Sequence, residues 1–381
     1  MKICFFITTV TKGGAERVIA NLSNYLVNEE NIENVDIINI YNTEISYDLD
    51  PKIKVYTIEK KFVKHQNLMN NHKGLVKFIK HVAKYIKNIH RKHILKNMLN
   101  KSDYDVIISF LPEPSFMILS LKKYIKCPII VSDRNDPNLE YNNIRTKYLM
   151  KKLYPLADGF VFQTLDAKRY FDKLFTKKNQ IIFNPVNKNF IRESYIGERE
   201  KTIVNVGRLE NQKNQMLLIK AFEKIKDEFN EYKLIIYGDG TLKKSLQDYI
   251  TNNNLTERVI LAGEVEDLNE KIYKSSLFVL SSDYEGMPNA LIEAMCLGIP
   301  VISTDCPCGG PRMLIDNNEN GLLVEVNNQE QLSEAIKKIL SNNEYAKELG
   351  IKASRLSEKV SSDVIDKEWL EFIKKIIKGV I

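Results

Sequence analysis

At 381 residues, 44% hydrophobic and 28% charged, the chain is too long for one ordinary domain and has the composition of a soluble globular protein with two cores. It contains no run of eighteen apolar residues and its first residues enter a strand, so neither a transmembrane helix nor a signal peptide is expected. Five cysteines, an odd number without a secretory cue, argue against a disulfide framework and for reduced thiols in the cytoplasm.

The net charge of +7 is unevenly spread. Residues 52–101 carry fourteen Lys/Arg and one acid, Glu59, which leaves the rest of the chain at −6. That asymmetry points to an anionic partner at one place on the first half.

In chain order, a strand at 3–8 opens into Gly13-Gly14-Ala15-Glu16-Arg17 and a helical pattern of Val18, Ile19, Leu22 and Leu26. Paired glycines let a backbone approach a ligand that a side chain would block, or simply turn the chain. Their spacing is not that of the G-x-G-x-x-G dinucleotide fingerprint. After a strand at 36–41 comes the basic segment. Leu75, Ile79, Val82, Ile86 and Ile89 recur at helical spacing, with Lys73, Lys77, Lys80, Lys84, Lys87 and Arg91 at other positions. The stretch 73–99 reads as a cationic amphipathic helix suited to an anionic membrane surface. The alternative is a core-packed helix with a solvated basic face.

Asp103-Tyr104-Asp105 has the D-x-D spacing of some metal sites, but it precedes the strand at 106–110 and reads as a turn at the wrong sheet edge. Further strands fall at 129–131, 160–162 and 181–183, and the first of these runs into Asp133-Arg134-Asn135-Asp136-Pro137. The second half repeats the scheme with strands at 202–206, 233–237, 259–262, 277–280, 301–303 and 322–324. Strands alternating with helical segments imply parallel sheets with right-handed crossovers. Two such blocks, joined near Asn184-Pro185-Val186, predict an α/β chain of two Rossmann-like doubly wound domains with an interdomain cleft at the strands' carboxyl ends.

Three loops of the second half carry the chemistry. Arg208 and Lys213 lie in one strand-to-helix loop, where a guanidinium fork and an ammonium suit a diphosphate without a metal. Tyr237-Gly238-Asp239-Gly240 ends a strand and either approaches a nucleotide by backbone or turns the chain. In Glu285-Gly286-Met287-Pro288-Asn289-Ala290-Leu291-Ile292-Glu293, Pro288 is expected to open a helix whose first N–H groups face an anion. The flanking glutamates suit hydroxyls, a sugar on one side and a ribose on the other. Cys306-Pro307-Cys308 has no second cysteine or histidine pair nearby, since all five histidines lie between His65 and His93, and no metal is expected.

Taken together, these pieces resemble the family 4 glycosyltransferases, retaining enzymes of the GT-B fold that include transferases for bacterial surface polysaccharides and lipid-linked oligosaccharides. The matches run nearly the length of the chain: Gly13 to Arg17, Asn184-Pro185-Val186, Gly207-Arg208 with Lys213-Asn214, and Tyr237 to Gly240. Glu285 to Glu293, Gly298-Ile299-Pro300-Val301-Ile302-Ser303 and Asn320-Gly321-Leu322-Leu323-Val324 complete them. The resemblance implies that Arg208 and Lys213 bind the donor diphosphate, Glu293 the ribose, and Glu285 the sugar near its reacting carbon. It assigns Gly13, Gly14, Gly238 and the run Gly286 to Leu291 to donor binding, and Glu16, Arg134 and Asp136 to the acceptor side. Arg134 stands where many relatives carry a histidine-containing motif. The loop Asp305 to Arg312 also departs from the shorter serine-containing form of related sequences.

The expected division is an acceptor domain 1–184, joined by a C-terminal helix 364–381, and a donor domain 185–363. The expected activity is retaining transfer of a hexose or N-acetylhexosamine from a nucleotide diphosphate sugar, most simply a UDP-sugar. The acceptor would be a glycan or polyprenyl-diphosphate-linked oligosaccharide of capsule or another surface polysaccharide. No metal or other cofactor and no nucleic acid is expected, and the location is peripheral at the inner membrane face. Two rival readings are a sugar-nucleotide epimerase on the same fold and a polyanion-binding protein using the basic segment.

Overall fold

The computed structural model describes residues 1–11, 13–41, 44–59, 75–174 and 177–379, without the side chains of 75–82, 84 and 85. Two compact units divide the chain. One comprises Met1–Phe162, Tyr170–Ile182 and the helical residues from Asp366; the other comprises Gln163–Arg169 and Phe183–Ile365. The short piece Gln163–Arg169 therefore groups with the second unit although it precedes residue 184.

The first unit is built on seven parallel strands: β1 (Lys2–Ile7), β2 (Asn34–Tyr41), β3 (Lys54–Glu59), β4 (Val106–Phe110), β5 (Ile129–Ser132), β6 (Gly159–Phe162) and β7 (Lys178–Ile181). Their order is β3-β2-β1-β4-β5-β6-β7. The central strands are buried from Ile3 in β1 and along the whole of β4 and β5, as their unbroken apolar runs require of a sheet covered on both faces. The edges differ from expectation. β3 lies in the basic segment, where no strand is expected, and β7 falls three residues before the apolar 181–183 run. The last helix, Ser362–Lys378, places Trp369 in the core of this unit, stacked on Phe110 at 5.7 Å between ring centroids.

The second unit has six parallel strands: β8 (Glu200–Val206), β9 (Lys233–Tyr237), β10 (Val259–Gly263), β11 (Ser275–Leu280), β12 (Val301–Thr304) and β13 (Leu322–Val324), in the order β10-β9-β8-β11-β12-β13. In each sheet the chain runs outward one way and then returns to the middle to run the other way. The strand order thus reverses between β1 and β4 in the first unit and between β8 and β11 in the second. Loops leaving the carboxyl ends of such paired strands diverge and open a crevice. Gly13 and Gly14 follow β1; Arg208 and Lys213 follow β8; Glu285 follows β11.

Candidate active site

In the second unit the loops after β8 and β11 are laced together by hydrogen bonds to backbone carbonyls. The Asp283 N–H donates to the Gln212 carbonyl at 2.8 Å, Gln212 Nε2 to the Tyr284 carbonyl at 3.0 Å, and Ser281 Oγ to the Lys213 carbonyl at 3.0 Å. Asn214 takes a left-handed conformation (φ 42°), which asparagine tolerates better than most residues, and its side chain accepts from the Leu217 N–H to cap the helix Gln215–Ile225. The same side chain donates to Asp283 Oδ1 at 2.7 Å. These ties fix where Lys213 points. Its Nζ lies 2.5 Å from Glu285 Oε1, which also accepts from Ser282 Oγ at 2.6 Å. Both partners are largely out of water, with side-chain exposures of 16% and 7%. Arg208 is exposed beside Glu210, whose carboxyl is held below its usual range by Thr241 and, to a smaller extent, by Arg208.

Two glycines set how closely the backbones approach. Gly238 has φ +132°, and a Cβ there would stand 2.1 Å from the Gly207 carbonyl oxygen. A Cβ on Gly310 would stand 1.7 Å from the Gly286 carbonyl oxygen. Only glycine fits either place, so the loop Asp305–Arg312 presses directly on the start of the Glu285–Glu293 segment. That contact is double, with the Glu285 N–H on the Pro307 carbonyl at 2.5 Å and the Cys308 N–H on the Glu285 carbonyl at 2.7 Å. Burial, aided by Glu285, pushes the Cys306 thiol up to about 12, so it remains protonated and a poor nucleophile near neutrality.

Pro288 is the N-cap of the helix Asn289–Cys296 and not its first helical residue, as expected from sequence. The N–H groups of Leu291 and Ile292 both return to the Pro288 carbonyl. The N–H groups of Asn289 and Ala290 are the ones the helix geometry directs out of its amino end. One turn later Glu293 is buried on this helix. Asn184 ties the segment to the unit by donating to Asn289 Oδ1 at 2.7 Å. Among the described residues no group of three or more His, Cys, Asp or Glu side chains is gathered for a metal ion.

In the first unit Gly13 exchanges two hydrogen bonds with the Tyr47 hydroxyl, at 2.9 and 2.7 Å, and Gly14 begins the helix Gly14–Leu26. Glu16, in that helix's first turn, has its pKa raised by burial. Arg134 is buried with its guanidinium 4.6 Å from the Phe110 ring centroid and 5.7 Å from that of Trp369. Burial lowers its pKa to about 9, against the pull of Asp133. Asp133 accepts from the hydroxyls of Tyr141 at 2.6 Å and Tyr154 at 2.8 Å. Asp136 is an N-cap, accepting from the N–H of Asn138 at 2.9 Å.

Residues 186–356 match the family model described as "Glycosyl transferases group 1", a span that contains Arg208, Lys213, Glu285 and Glu293. Over 378 residues the chain is 29% identical to "GalNAc-alpha-(1->4)-GalNAc-alpha-(1->3)-diNAcBac-PP-undecaprenol alpha-1,4-N-acetyl-D-galactosaminyltransferase" of Campylobacter jejuni, covering 99% of each protein. The chain is a glycosyltransferase, similar to the group 1 family over residues 186–356. Its fold is similar to that of sucrose-phosphate synthase from Thermosynechococcus elongatus, at a TM-score of 0.80 with 16% identity over 100% of both chains. It is also similar to Anabaena HepE in complex with UDP, at 0.75 with 17% identity over 98% of this chain and 100% of that one. This is the expected GT-B architecture.

Within this glycosyltransferase the structure joins Lys213 to Glu285 directly and places Gly238 and the run Gly286 to Leu291 at the same sheet edge. Arg208 shares the loop but extends to solvent. In the basic helix, Leu75–Asn100, Lys73 lies outside the described residues, as do the side chains of Lys77, Lys80 and Lys84. Arg91 is no part of a solvated basic face: it is buried, 2.5 Å from Glu59 Oε1 and stacked over Tyr41. Sequence reasoning did not single out Ser282, Gln212, Tyr47 or Leu111. Leu111, at φ 72° directly after β4, is held against its preference at the strand-reversal point of the first sheet. Only its neighbour Pro112, which restricts the preceding residue, hints at an unusual backbone there.

Proposed function

We propose that this glycosyltransferase moves a hexose or N-acetylhexosamine from a UDP-sugar, with retention, onto a polyprenyl-diphosphate-linked glycan of a bacterial surface polysaccharide. The observation that carries the reading is the Lys213–Glu285 contact at the carboxyl edge of the second sheet. An ammonium has three donors, so one bond to Glu285 leaves two for a diphosphate. The two hydrogen bonds that the Glu285 carboxylate accepts from described residues both fall on Oε1, which leaves Oε2 for a sugar hydroxyl. One side chain thus links the leaving group to the sugar it leaves.

In this reading Arg208, Lys213 and the N–H groups of Asn289 and Ala290 take up the charge that develops on the departing diphosphate. Glu293 holds the ribose, and Gly13, Gly14 and Gly238 let backbone approach the donor. Glu16, Arg134 and Asp136 serve the acceptor side, Arg134 and Asp136 through the loop they stiffen. No metal is required, because cations and helix N–H groups do its electrostatic work. The Campylobacter relative is named for an undecaprenyl-diphosphate-linked acceptor, and HepE was solved with UDP. Both support these substrate classes.

A peripheral place at the inner membrane face follows from the acceptor. No described helix is long and apolar enough to cross a membrane. On the basic segment 73–99, Ile86 and Ile89 are 60% and 51% exposed, whereas Leu95 and Leu99 are buried. Ile86 and Ile89 are therefore available to a bilayer, whereas Leu95 and Leu99 are core.

The test is calorimetric titration with UDP, followed by incubation of lipid extract with a panel of nucleotide sugars and weighing of the products. UDP binding with a hexose or N-acetylhexosamine mass added to a diphospholipid glycan is expected. Release of an epimerised sugar without any acceptor product would overturn the reading.

A further inference from the structure

A second surface of the first unit combines cations with exposed apolar side chains and shares only the last turns of helix Leu75–Asn100 with the basic segment. Helix Ile144–Leu153 carries four cations and no acid, and Ile144, Tyr148 and Lys152 recur every four residues, on one face. Ile144 is 90% and Tyr148 60% exposed, unusual for a helix whose neighbours Met150 and Leu153 are core. Lys152 sits 5.8 Å from the Tyr148 ring. Beside it, Tyr124 is half-exposed with Lys96 at 3.5 Å and Lys123 at 4.8 Å from its ring. Between these elements opens a cavity of about 640 Å³, ringed by Lys92, Lys122, Lys123 and Lys152 over a floor that includes Leu119 and Leu153. Among the described residues no carboxylate lines it; Asp158, the partner of Lys122, stands outside the lining.

Three chemistries compete for such a surface. A protein partner is disfavoured, because lysine is depleted from the cores of protein interfaces. Nucleic acid would use the lysines but gain nothing from an almost fully exposed isoleucine. An anionic bilayer uses every part: aliphatic side chains enter the acyl boundary, tyrosines sit at headgroup depth and lysines reach lipid phosphates.

We propose that helix Ile144–Leu153, the turn Lys122–Tyr124 and the last turns of helix Leu75–Asn100 dock on a bilayer of anionic phospholipid, the lysine-ringed cavity receiving a lipid phosphate. This deepens the peripheral-membrane part of the function proposed above by assigning its second contact. Docking at this surface requires no donor or acceptor, so it can stand or fall independently of the sugar transfer.

The experiment is cosedimentation of the full chain with vesicles of phosphatidylcholine alone or mixed with phosphatidylglycerol. Binding only to the mixed vesicles is expected. Ile144→Ser with Tyr148→Ser, which keeps every charge, should weaken it about tenfold. Lys123→Glu with Lys152→Glu should weaken it by at least about fivefold per lysine and reduce its salt dependence. Unchanged circular dichroism and unchanged transfer to a water-soluble acceptor would show that these exposed positions act at the bilayer alone. Wild-type binding by both double variants, with loss confined to Lys77→Glu and Lys80→Glu in the basic segment, would overturn the proposal. So would an RNA oligonucleotide that binds more tightly than mixed vesicles and is indifferent to Ile144→Ser.

Discussion

Lys213 Nζ and Glu285 Oε1 stand 2.5 Å apart although 72 residues separate them in the chain, and that contact ties the end of β8 to the end of β11. Glu285 is the more buried partner. Removing the lysine strands a carboxylate out of water, which costs about 3 kcal/mol, whereas the lysine left by Glu285→Ala can turn to solvent at a cost of about 1 kcal/mol. Lys213→Ala should therefore be the worse single variant by urea denaturation, and adding Glu285→Ala should restore stability instead of lowering it further. Additive losses would mean that the two groups do not interact in solution. If the lysine also holds the diphosphate, Lys213→Ala should weaken UDP binding about tenfold or more, since bonds to charged groups contribute about 1.5–3 kcal/mol. Glu285→Ala should cut transfer sharply while UDP still binds.

Gly310 gives a second handle on the same segment without touching its charges. A Cβ at this position meets the Gly286 carbonyl at 1.7 Å, and a backbone atom cannot step aside as a flexible side chain can. Gly310→Ala must displace residues 286–290 together with the amino end of helix Asn289–Cys296. The expected outcome is a loss of UDP affinity of at least about tenfold by calorimetry, with the fold retained by circular dichroism. An alanine variant that binds UDP as the wild type does would show that the approach of this loop is irrelevant to the donor.

How far this could be read from sequence depends on burial. Central strands such as β4 (VIISF) and β11 (SSLFVL) are covered on both faces, so their apolar runs announce them. Edge strands carry no such mark: β3 (KVYTIE) is half-exposed, and β7 (KNQI) pairs through its backbone with hardly an apolar residue. The sheet-edge positions of Arg208, Lys213 and Glu285 were legible because each follows an apolar run and precedes a helical pattern. Their meeting was not, because it depends on β8 and β11 being neighbours, which is a property of strand order. Nor does any local pattern show that Arg134, charged and in a loop, lies against the rings of Phe110 and of a tryptophan more than two hundred residues later.

That tryptophan is the largest fully buried side chain among the described residues, and it closes the core of the first unit from the last helix. Trp369→Ala should cost about 4 kcal/mol by denaturation, a cavity loss made worse by uncovering the Arg134 guanidinium. Trp369→Phe keeps an aromatic face over Arg134 and should lose less than half as much. Equal losses would show that the ring volume matters and its face does not.

Asp133 makes the first unit's stability depend on pH. Burial raises its pKa to about 6, against about 3.9 for an ordinary aspartate, despite the two tyrosine hydroxyls that favour the ionised form. Between these values the folded chain holds a proton that the unfolded chain has released. The stabilisation is therefore fully present below about pH 4 and is lost as pH rises through about 6. The span corresponds to about 3 kcal/mol. Asp133→Asn keeps an acceptor for a tyrosine hydroxyl but cannot ionise. Denaturation of wild type and variant from pH 4 to pH 7 should show the wild type's relative stability falling by about 2–3 kcal/mol as pH rises, most of it before pH 6.5. A difference that stays flat over this range, or grows with pH, would mean that Asp133 is ionised throughout and that the tyrosines hold it as a carboxylate.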